Sequence, residues 1–323
     1  MKKHRLFVHI LIGIWLVTAC TPNNERLEYA LILHGGAGQI SASTLSDSLK
    51  EAYTVMLQTA RDSGLSILAR GGSSLDAVEK VINMLEDCPL FNAGKGACYT
   101  YEGKISLDAS IMDGSNLMAG AVAGVDDIRN PITAARRVMT ASPHVMLSGK
   151  GASEFARAQG LTMADSAYFF TERQWKAHLR GLDVLKKMGT VGCVALDRKG
   201  NLAAGTSTGG MTNKRWGRIG DSPVIGAGTY ADNHSCGVSC TGTGEYFIRL
   251  SVAHDLSALV TYKGMRIQDA ADLVINRKVA TLGGSGGLVA LDRWGHPGIS
   301  FNTEGMFRAY GNSKGVRMTA MFK

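Results

Sequence analysis

A segment near the middle of the chain limits the fold more than any other. Residues 187–197 read Lys-Met-Gly-Thr-Val-Gly-Cys-Val-Ala-Leu-Asp, and after a short turn residues 201–210 read Asn-Leu-Ala-Ala-Gly-Thr-Ser-Thr-Gly-Gly. The strand that begins at Thr190 is rich enough in apolar side chains to be buried on both faces. Thr190 follows Gly189 and opens the first strand, which puts a hydroxyl at the end of a core strand.

This hydroxyl suggests a specific chemistry. If the chain were cut between Gly189 and Thr190, Thr190 would carry both a nucleophilic Oγ and a free α-amine. The amine has an unperturbed pKa of about 7.7 to 8.0, which suits a general base near neutral pH. Gly189 can adopt backbone angles that other residues resist, and stored strain at this position would favour attack on its carbonyl.

Composition indicates a compact globular protein, with enough residues for one large domain or two small ones, and no nucleic acid as a partner. The chain has 323 residues, 45% of them hydrophobic, with 40 glycines and 6 prolines, which favours tight turns over disordered linkers. The formal charge is +8, and it falls to +5 without Lys2, Lys3 and Arg5 of the N-terminal segment. We find no dense basic run with interleaved aromatic residues, so we predict no nucleic-acid partner.

The first residues have the composition of an export signal. A cationic start precedes an apolar run too short to span a bilayer, and Val17-Thr-Ala-Cys20 resembles the lipobox of bacterial lipoproteins. We predict a signal peptide at 1–19, lipidation of Cys20, a tether at 20–28 and a periplasm-facing, lipid-anchored protein. An ordinary secretory signal is the alternative. The remaining cysteines show neither disulfide nor zinc spacing, so we expect free thiols.

Periodicity predicts grouped strands and helices. Helices are expected at 46–70, from Ser73, from Pro131, through the polar segment 151–187, at 245–260 and at 267–280. Strands are expected at 29–34, 105–112, 117–125, 145–147, 191–196, 201–206, 224–227, 236–241 and within 287–322. Because the two types are grouped rather than alternating, we predict a layered α+β fold instead of a doubly wound α/β fold.

An internal repeat weakens the Gly-Thr dipeptide as evidence by itself. Residues 194–200 recur at 289–295, and the same register aligns Gly189-Thr190 with Gly284-Ser285. Ser285 is therefore a rival nucleophile. It lacks a polar segment before it, lies among glycines and would release only a short C-terminal piece.

Several longer blocks carry a family resemblance. They are Gly189-Thr-Val-Gly-Cys-Val-Ala-Leu-Asp, Thr206-Ser-Thr-Gly-Gly-Met-Thr-Asn-Lys, Gly217-Arg-Ile-Gly-Asp-Ser-Pro and Ser239-Cys-Thr-Gly-Thr-Gly-Glu, with His34-Gly-Gly-Ala-Gly, Leu107-Asp-Ala-Ser-Ile-Met-Asp-Gly and Phe301-Asn-Thr-Glu-Gly-Met-Phe. In order and content they resemble the isoaspartyl peptidase/plant-type L-asparaginase family over residues 29–310.

The resemblance implies a fold and a maturation step. The family has the four-layer αββα sandwich of N-terminal nucleophile hydrolases and cleaves its own precursor. The matching bond is Gly189-Thr190, which implies one domain at 29–323 cut into an α chain of residues 20–189 and a β chain of residues 190–323. Two such αβ units are expected to associate as (αβ)2.

The resemblance also implies residue roles. Thr190 is nucleophile and base, Thr208 orients it, and Asn92 supports it. The oxyanion is held by Thr241 and Gly242. Small zwitterionic aspartyl substrates are bound by their carboxylate at Arg218 and by their ammonium at Asp221, with the Gly244 carbonyl. No catalytic cofactor is implied. A structural sodium ion is implied, bound by main-chain carbonyls of Leu85, Glu86, Cys88, Phe91, Ala93 and Lys95.

Ordinary structural explanations exist for these residues taken singly. Thr208 and Asn92 could be turn formers, and Arg218 with Asp221 a surface ion pair. We predict hydrolysis of β-aspartyl dipeptides, L-asparagine or both, through an aspartyl ester on Thr190. The alternatives are a glycosylasparaginase and, ranked lower, a processing-dead lipoprotein that binds an aspartyl ligand.

Overall fold

The computed structural model describes residues 26–43, 45–180 and 189–323. The helices are α1 Asp47–Ala69, α2 Ser74–Glu86, α3 Pro131–Ala141, α4 Gly149–Ala158, α5 Glu172–Arg180, α6 Gly244–Leu250, α7 Val252–Lys263 and α8 Ile267–Leu273. The strands are β1 Ala30–Gly38, β2 Leu107–Asp113, β3 Ala119–Val125, β4 Met146–Ser148, β5 Val191–Leu196, β6 Leu202–Thr208, β7 Thr229–Ala231, β8 Cys236–Gly242, β9 Gly286–Asp292, β10 Pro297–Phe301, β11 Gly305–Asn312 and β12 Arg317–Phe322. The predicted signal peptide and Cys20 lie outside the described residues.

The strands form an eight-stranded and a four-stranded sheet. The larger sheet has the order β12-β11-β1-β5-β6-β2-β3-β4, and the smaller has the order β10-β9-β8-β7. Neighbouring strands are antiparallel except β3 and β4, which are parallel. Helices and strands are grouped along the chain, so the predicted α+β class is confirmed.

Strand β5 is buried along its whole length, as predicted. Successive side chains of a strand point to opposite faces, and β5 therefore contributes to two hydrophobic clusters. Cys193 packs in a cluster with buried residues of α1, α2 and α3, whereas Val194 packs in a cluster that includes Val289 and Leu291 of the smaller sheet. A third cluster joins β8 and β9 to α6, α7 and α8. Fully burying each such aliphatic side chain stabilises the fold by about 1.5–3 kcal/mol.

The predicted helix starts are confirmed at two positions. Ser46 caps α1 by accepting a hydrogen bond from the Leu49 amide. Ser73 and Asp76 form a reciprocal capping box on α2, in which each side chain accepts from the other residue's backbone N–H. These caps satisfy amides that have no partner inside the helix.

Three predicted elements differ from the structure. The helix expected at 245–260 is split into α6 and α7 by Ser251, whose φ of 48° is left-handed. Residues 224–227 form turns instead of a strand, because the amides of Val224 and Ala227 bond back to carbonyls three residues earlier. The segment expected to be helical from 151 to 187 contains α4 and α5 with irregular chain between them, and its residues 181–188 lie outside the described residues.

Candidate active site

The ends of two neighbouring strands bring the threonines Thr190 and Thr208 together. Thr190 immediately precedes β5 and Thr208 ends β6, and the antiparallel register pairs Val191 with Ser207. The Thr190 hydroxyl donates to the Thr208 hydroxyl oxygen at 3.1 Å, and the two residues are 7% and 3% exposed. The β5–β6 hairpin thus brings the two hydroxyls within hydrogen-bonding distance.

The carbonyl of Gly189 has two side-chain donors. Asn92 Nδ2 donates to it at 2.7 Å, and the Thr208 hydroxyl lies 3.3 Å away. The Asn92 amide has a fixed orientation, because its Oδ1 accepts the Cys98 N–H at 2.8 Å while Nδ2 also donates to the Gly210 carbonyl at 2.7 Å. A negative charge that develops on the Gly189 oxygen would therefore meet pre-oriented donors.

A glycine of β1 packs against the same peptide bond. Gly36 has a φ of 105°, and a Cβ atom there would lie 2.8 Å from the Gly189 Cα and 3.1 Å from the Thr190 nitrogen. A side chain at position 36 would be strained by its backbone angle and would collide with this bond. The glycine-rich end of β1 is therefore required for close contact with Gly189 and Thr190.

Arg218 is held by a carboxylate that the sequence analysis did not single out. Its Nε and Nη2 atoms donate to the two carboxylate oxygens of Glu245 at 2.9 and 3.0 Å. Burial alone would lower the pKa of Arg218, but the hydrogen bonds and charge of Glu245 outweigh burial and raise it. This bidentate pair uses one edge of the guanidinium and leaves the Nη1 donors for another anion.

Asp221 is buried beside Arg218, and one of its oxygens lacks a partner. The residue is 5% exposed, and Oδ2 has no hydrogen-bond partner. Burial raises its pKa to about 7, an effect that the Arg218 charge opposes and that Glu245 and Asp108 reinforce. A buried carboxylate oxygen without a donor is costly, and an ammonium group would supply the missing donors.

The predicted oxyanion residues lie at the end of β8. Thr241 is fully buried and its hydroxyl oxygen accepts the Ala37 N–H at 3.3 Å, while Gly242 lines the pocket. A Cβ atom at Gly242 would lie 2.6 Å from the Ser285 carbonyl oxygen. The rival nucleophile Ser285 thus adjoins Gly242 from the neighbouring β9 side, but it is not among the residues that line the pocket.

Most of the predicted site residues line one pocket. Its lining comprises Thr190, Thr208, Gly210, Met211, Arg218, Gly220, Asp221, Ser222 and Gly242. Gly244, the first residue of α6, borders it, because a Cβ atom there would lie 2.8 Å from Asp221 Oδ1 and 2.9 Å from Arg218 Nη2. The carbonyls predicted to bind sodium belong instead to the end of α2 and the loop after it.

A buried cation and carboxylate lie behind the pocket. Lys214 Nζ donates to the Ser106 carbonyl at 2.8 Å and lies 3.6 Å from Asp108 Oδ2. Asp108 pairs with Thr208 across β2 and β6, and burial raises the pKa of its carboxyl. Their charges therefore lie close to the Thr208 end of the pocket.

Sequence reasoning missed Glu245, Asp108, Lys214 and the buried His34. Each belongs to a block that was compared with the family, but charge pairing across 27 residues, as between Arg218 and Glu245, leaves no local spacing signal. A glutamate in the first turn of a helix also has an ordinary explanation in the helix dipole. The tertiary structure brings α6 against the loop that carries Arg218, and this contact shows that Glu245 is the partner of Arg218.

The site can now be compared with known proteins. The model of the asparaginase family matches residues 27–321. The chain is 47% identical to an isoaspartyl peptidase of Salmonella typhimurium over 307 residues, which is 91% of this chain and 98% of that protein. It is also 47% identical to the isoaspartyl peptidase of Escherichia coli, over 91% and 96% of the two chains, and 43% identical to the isoaspartyl peptidase/L-asparaginase of Rattus norvegicus, over 82% and 80%. The chain belongs to the asparaginase family.

The comparisons contradict the predicted location. The Salmonella, E. coli and rat proteins are named as isoaspartyl peptidases, and none of these names describes a lipoprotein. The prediction of an exported enzyme, anchored to a bacterial membrane through Cys20 and facing the periplasm, is therefore wrong. It was drawn from residues that precede the family match, on their composition and on the resemblance of residues 17–20 to a lipobox.

The described residues contain neither a membrane-spanning helix nor a metal-binding cluster. No described helix has both the length and the apolar character needed to cross a bilayer. In the same ranges, no cluster of three or more histidine, cysteine or acidic side chains is arranged to bind a metal ion. The five cysteines within these ranges are free, and four of them are buried.

Proposed function

We propose that this chain is a self-cleaving threonine hydrolase that removes β-aspartyl groups from isoaspartyl dipeptides, L-asparagine or both. The observation that carries the proposal is the convergence of Thr190, Thr208, Arg218 and Asp221 on one pocket, with the Gly189 carbonyl already bound by Asn92. The names of the relatives, isoaspartyl peptidase and L-asparaginase, agree with this activity.

Self-cleavage begins with the Thr190 hydroxyl. Oγ attacks the Gly189 carbonyl carbon, and the negative charge on the carbonyl oxygen is stabilised by Asn92 Nδ2 and the Thr208 hydroxyl. The C–N bond breaks, the nitrogen takes the hydroxyl proton, and Gly189 becomes an ester on Oγ. Water hydrolyses this ester, which frees the Gly189 carboxylate, restores the hydroxyl and leaves Thr190 with an α-amine.

The mature residue then acts on the substrate. The α-amine takes the proton from Oγ, which attacks the side-chain carbonyl of the aspartyl group. Thr241 and Gly242 stabilise the oxyanion, and the proton passes to the departing ammonia or amino acid. Water hydrolyses the aspartyl ester on Thr190 and releases aspartate. Thr208 keeps the nucleophile oriented through both steps, since it accepts from the Thr190 hydroxyl at 3.1 Å.

Substrate selection follows from opposite charges placed side by side. The Nη1 edge of Arg218, left free by Glu245, binds the α-carboxylate, and the unpartnered Oδ2 of Asp221 accepts from the α-ammonium. The Gly244 carbonyl is a further ammonium acceptor. An L-aspartyl fragment satisfies both contacts at once, whereas the group beyond the scissile bond is left to the rim of the pocket.

The proposal also includes the layering of the fold, the (αβ)2 assembly and a structural sodium ion. Three hydrophobic clusters, two between a sheet and helices and one shared by the two sheets, support a four-layer αββα sandwich of the N-terminal nucleophile hydrolase type. One domain at 29–323, cut into chains 20–189 and 190–323, would pair as (αβ)2, which light scattering on the purified protein tests.

The sodium proposal is supported by the winding of the loop after α2. A Cβ atom at Gly94 or Gly96 would overlap the carbonyl oxygens of Glu86 and Phe91, so the loop packs tightly on two of the predicted carbonyl ligands. Carbonyl oxygens are hard donors of the kind that alkali and alkaline-earth ions prefer. When bound, sodium would hold the loop that carries Asn92 and would take no part in the chemistry.

A denaturing gel of the purified protein with intact masses tests the proposal. We expect two fragments that separate before Thr190, and a single uncut chain for Thr190→Ala. Persistence of one chain in the unsubstituted protein under all conditions would contradict the enzyme, and a break before Ser285 would contradict the nucleophile.

Product assays then define the leaving group. β-Aspartyl dipeptides, L-asparagine and a glycosylated asparagine should be compared on the same mature preparation. We expect aspartate from the first two. Preference for the glycosylated substrate would instead identify a glycosylasparaginase, and binding of aspartyl ligands without any product would identify a processing-dead binding protein.

A further inference from the structure

A row of polar side chains crosses the larger sheet beneath Thr190. Positions on four adjacent strands are paired in register: His34 of β1 with Gly192 of β5, Gly192 with Thr206 of β6, and Thr206 with Ser110 of β2. Two residues along, on the same face, the corresponding row is apolar and packs in the cluster shared by the two sheets: Ile32, Val194, Ala204 and Met112. A polar row in such a place costs stability unless every member is hydrogen-bonded.

The smaller sheet completes the hydrogen bonds of this row. Ser239 of β8 and Thr229 of β7 pair in register and point at it. Distances between successive polar atoms are 2.9 Å from His34 Nε2 to Ser239, 2.7 Å from Ser239 to Thr206, 2.6 Å from Thr206 to Thr229 and 2.8 Å from Thr229 to Ser110. The five side chains are fully buried. We call them the intersheet polar chain.

The intersheet polar chain ends beside the predicted nucleophile, Thr190. His34 Nδ1 lies 3.0 Å from the Thr190 carbonyl oxygen. A carbonyl can only accept, so Nδ1 carries the proton. Burial lowers the pKa of His34 to about 3, which leaves a neutral ring with one N–H, and Nε2 must therefore accept from Ser239.

The remaining hydrogens follow in one direction. With the Ser239 proton on Nε2, the Ser239 oxygen accepts from Thr206, which accepts from Thr229, which accepts from Ser110. The Thr206 and Ser110 hydroxyls also lie 3.0 and 2.6 Å from the carbonyl oxygens of Gly228 and Ser222, so each shares its single hydrogen between two acceptors. Hydrogen bonds aligned in one direction polarise one another and strengthen the last donor, here His34 Nδ1–H.

The backbone also accommodates this arrangement. A Cβ atom at Gly192 would overlap the Ser239 hydroxyl and lie 2.5 Å from His34 Nε2. The hydrogen bond between His34 and Ser239 thus passes over the Cα of a strand residue that has no side chain, two positions after Thr190.

We propose that His34, locked in its Nδ1–H tautomer by the intersheet polar chain, is a positioning residue that fixes the Thr190 carbonyl and thereby aims the Thr190 hydroxyl and α-amine. The inference rests on the proposed function, because it assumes Thr190 as the nucleophile. His34 touches neither substrate nor reacting atoms. A rotation of the Thr190 backbone would move its Oγ away from the Gly189 carbon in the precursor and away from the substrate in the mature enzyme. Small displacements of a reacting group lower the reaction rate strongly.

Two substitutions of His34 test the roles of its two ring nitrogens separately. The amide nitrogen of His34→Asn can replace Nδ1–H as donor to Thr190, whereas the amide of His34→Gln reaches Ser239 but leaves the Thr190 carbonyl without its donor. For His34→Gln we expect kcat and the rate of self-cleavage to fall about 10- to 100-fold, with KM unchanged because Arg218 and Asp221 bind the substrate. His34→Asn should restore at least about tenfold of that loss.

The controls distinguish failure of this inference from failure of the proposed function. Unsubstituted protein must cleave itself and release aspartate from a β-aspartyl dipeptide; if it does not, the proposed function fails first. If it does, equal activity of His34→Gln and the unsubstituted protein overturns the inference, as does an equal loss in both His34 variants at unchanged thermal stability.

A spectroscopic measurement keeps the inference testable if the variants fail to fold. In ¹⁵N-labelled protein, imidazole nitrogen spectra should show one histidine that remains the neutral Nδ1–H tautomer from pH 5 to 9, and Ser239→Ala should alter its shifts. A ring that titrates in this range, or a neutral Nε2–H tautomer, overturns the inference.

Discussion

At the scale of single residues, the pocket combines one paired charge with one that is incompletely paired. Asp221 is buried with one oxygen unpartnered, and Arg218 is already engaged by Glu245 along one edge. An aspartyl ligand adds an ammonium and a carboxylate, so each charge of the site gains an opposite partner without leaving a new charge buried.

The raised pKa of Asp221 predicts a pH dependence of KM. The carboxylate form must bind the ammonium, and burial raises the pKa to about 7, so the competent form grows as pH rises through 7. We expect KM to fall by up to about tenfold per pH unit below pH 7 and to level off above it. Initial rates between pH 5.5 and 8.5 measure this, and a flat KM between pH 6 and 8 would contradict it.

Glu245→Gln tests how the charge of Glu245 affects the pKa of Asp221 and substrate binding. The Glu245 charge raises the pKa of Asp221, so its removal should move the midpoint of the KM profile to lower pH. Arg218 also loses its bidentate partner, and KM at high pH should rise a few-fold. Glu51→Gln, an exposed change on α1, is the matched control and should leave both values unchanged.

Asn92 should control self-cleavage through its donor. An Asn92→Asp carboxylate keeps the size of the side chain but cannot donate to the Gly189 carbonyl. We expect cleavage of the precursor to slow by about 10²- to 10³-fold, followed as loss of the uncut band with time. Asn116→Asp is the control, because the Asn116 Oδ1 only accepts, from Met118 N–H, and the aspartate preserves that bond. Equal cleavage rates in both variants would remove Asn92 from this role.

At the scale of elements, the fit of β5 depends on a position with no side chain. Strand β5 lies between β1 and β6 and also faces β8, and Gly192 is the point where the bond between His34 and Ser239 crosses it. The strand is therefore a core element, with Val191, Cys193 and Val194 buried, and it also follows directly after Thr190.

Gly192→Ala should lower stability. The added methyl overlaps the Ser239 hydroxyl and crowds His34, so we expect the free energy of unfolding to fall by about 1–3 kcal/mol. Urea unfolding in the uncut Thr190→Ala background measures this on a single chain. Gly151→Ala on α4 is the control, because nothing lies within 4 Å of the added methyl and stability should be kept or slightly raised. Equal midpoints for the two variants would show that the intersheet polar chain tolerates a side chain here.

At the scale of the whole molecule, the two predicted chains are interleaved in one sheet. Strand β1 of the predicted α chain lies between β11 and β5 of the predicted β chain, and β2 lies beside β6. Cleavage after Gly189 therefore cuts one backbone bond without removing any strand from its neighbours.

The interleaving predicts that the mature chains stay together without a covalent link. Gel filtration and native mass spectrometry should give one species that contains both fragments, and only denaturant should separate them. Fragments that elute apart in native buffer would contradict this strand order. Uncut Thr190→Ala protein is the control, since its single chain should elute at the position of the cleaved complex.

Some features of the protein could be predicted from its sequence, whereas others depend on the tertiary structure. Local patterns were enough for the helix starts at Ser46 and Ser73 and for the buried strand β5, because each of these depends on neighbours a few positions away. The left-handed Ser251 was missed because helical periodicity continues through it. Compositional signals at the N-terminus led to a location that the relatives contradict.

Only the tertiary structure brought together groups that are far apart in the chain. The partner of Arg218 is 27 residues away, one of the two donors to the Gly189 carbonyl is 97 residues away, and the donor to the Thr190 carbonyl is 156 residues away. Such contacts depend on strand register and on how the two sheets meet, and neither has a periodicity that can be read from the chain. The sequence by itself determined which chemical groups this protein carries, and the packing of its two sheets decided which of them meet at Thr190.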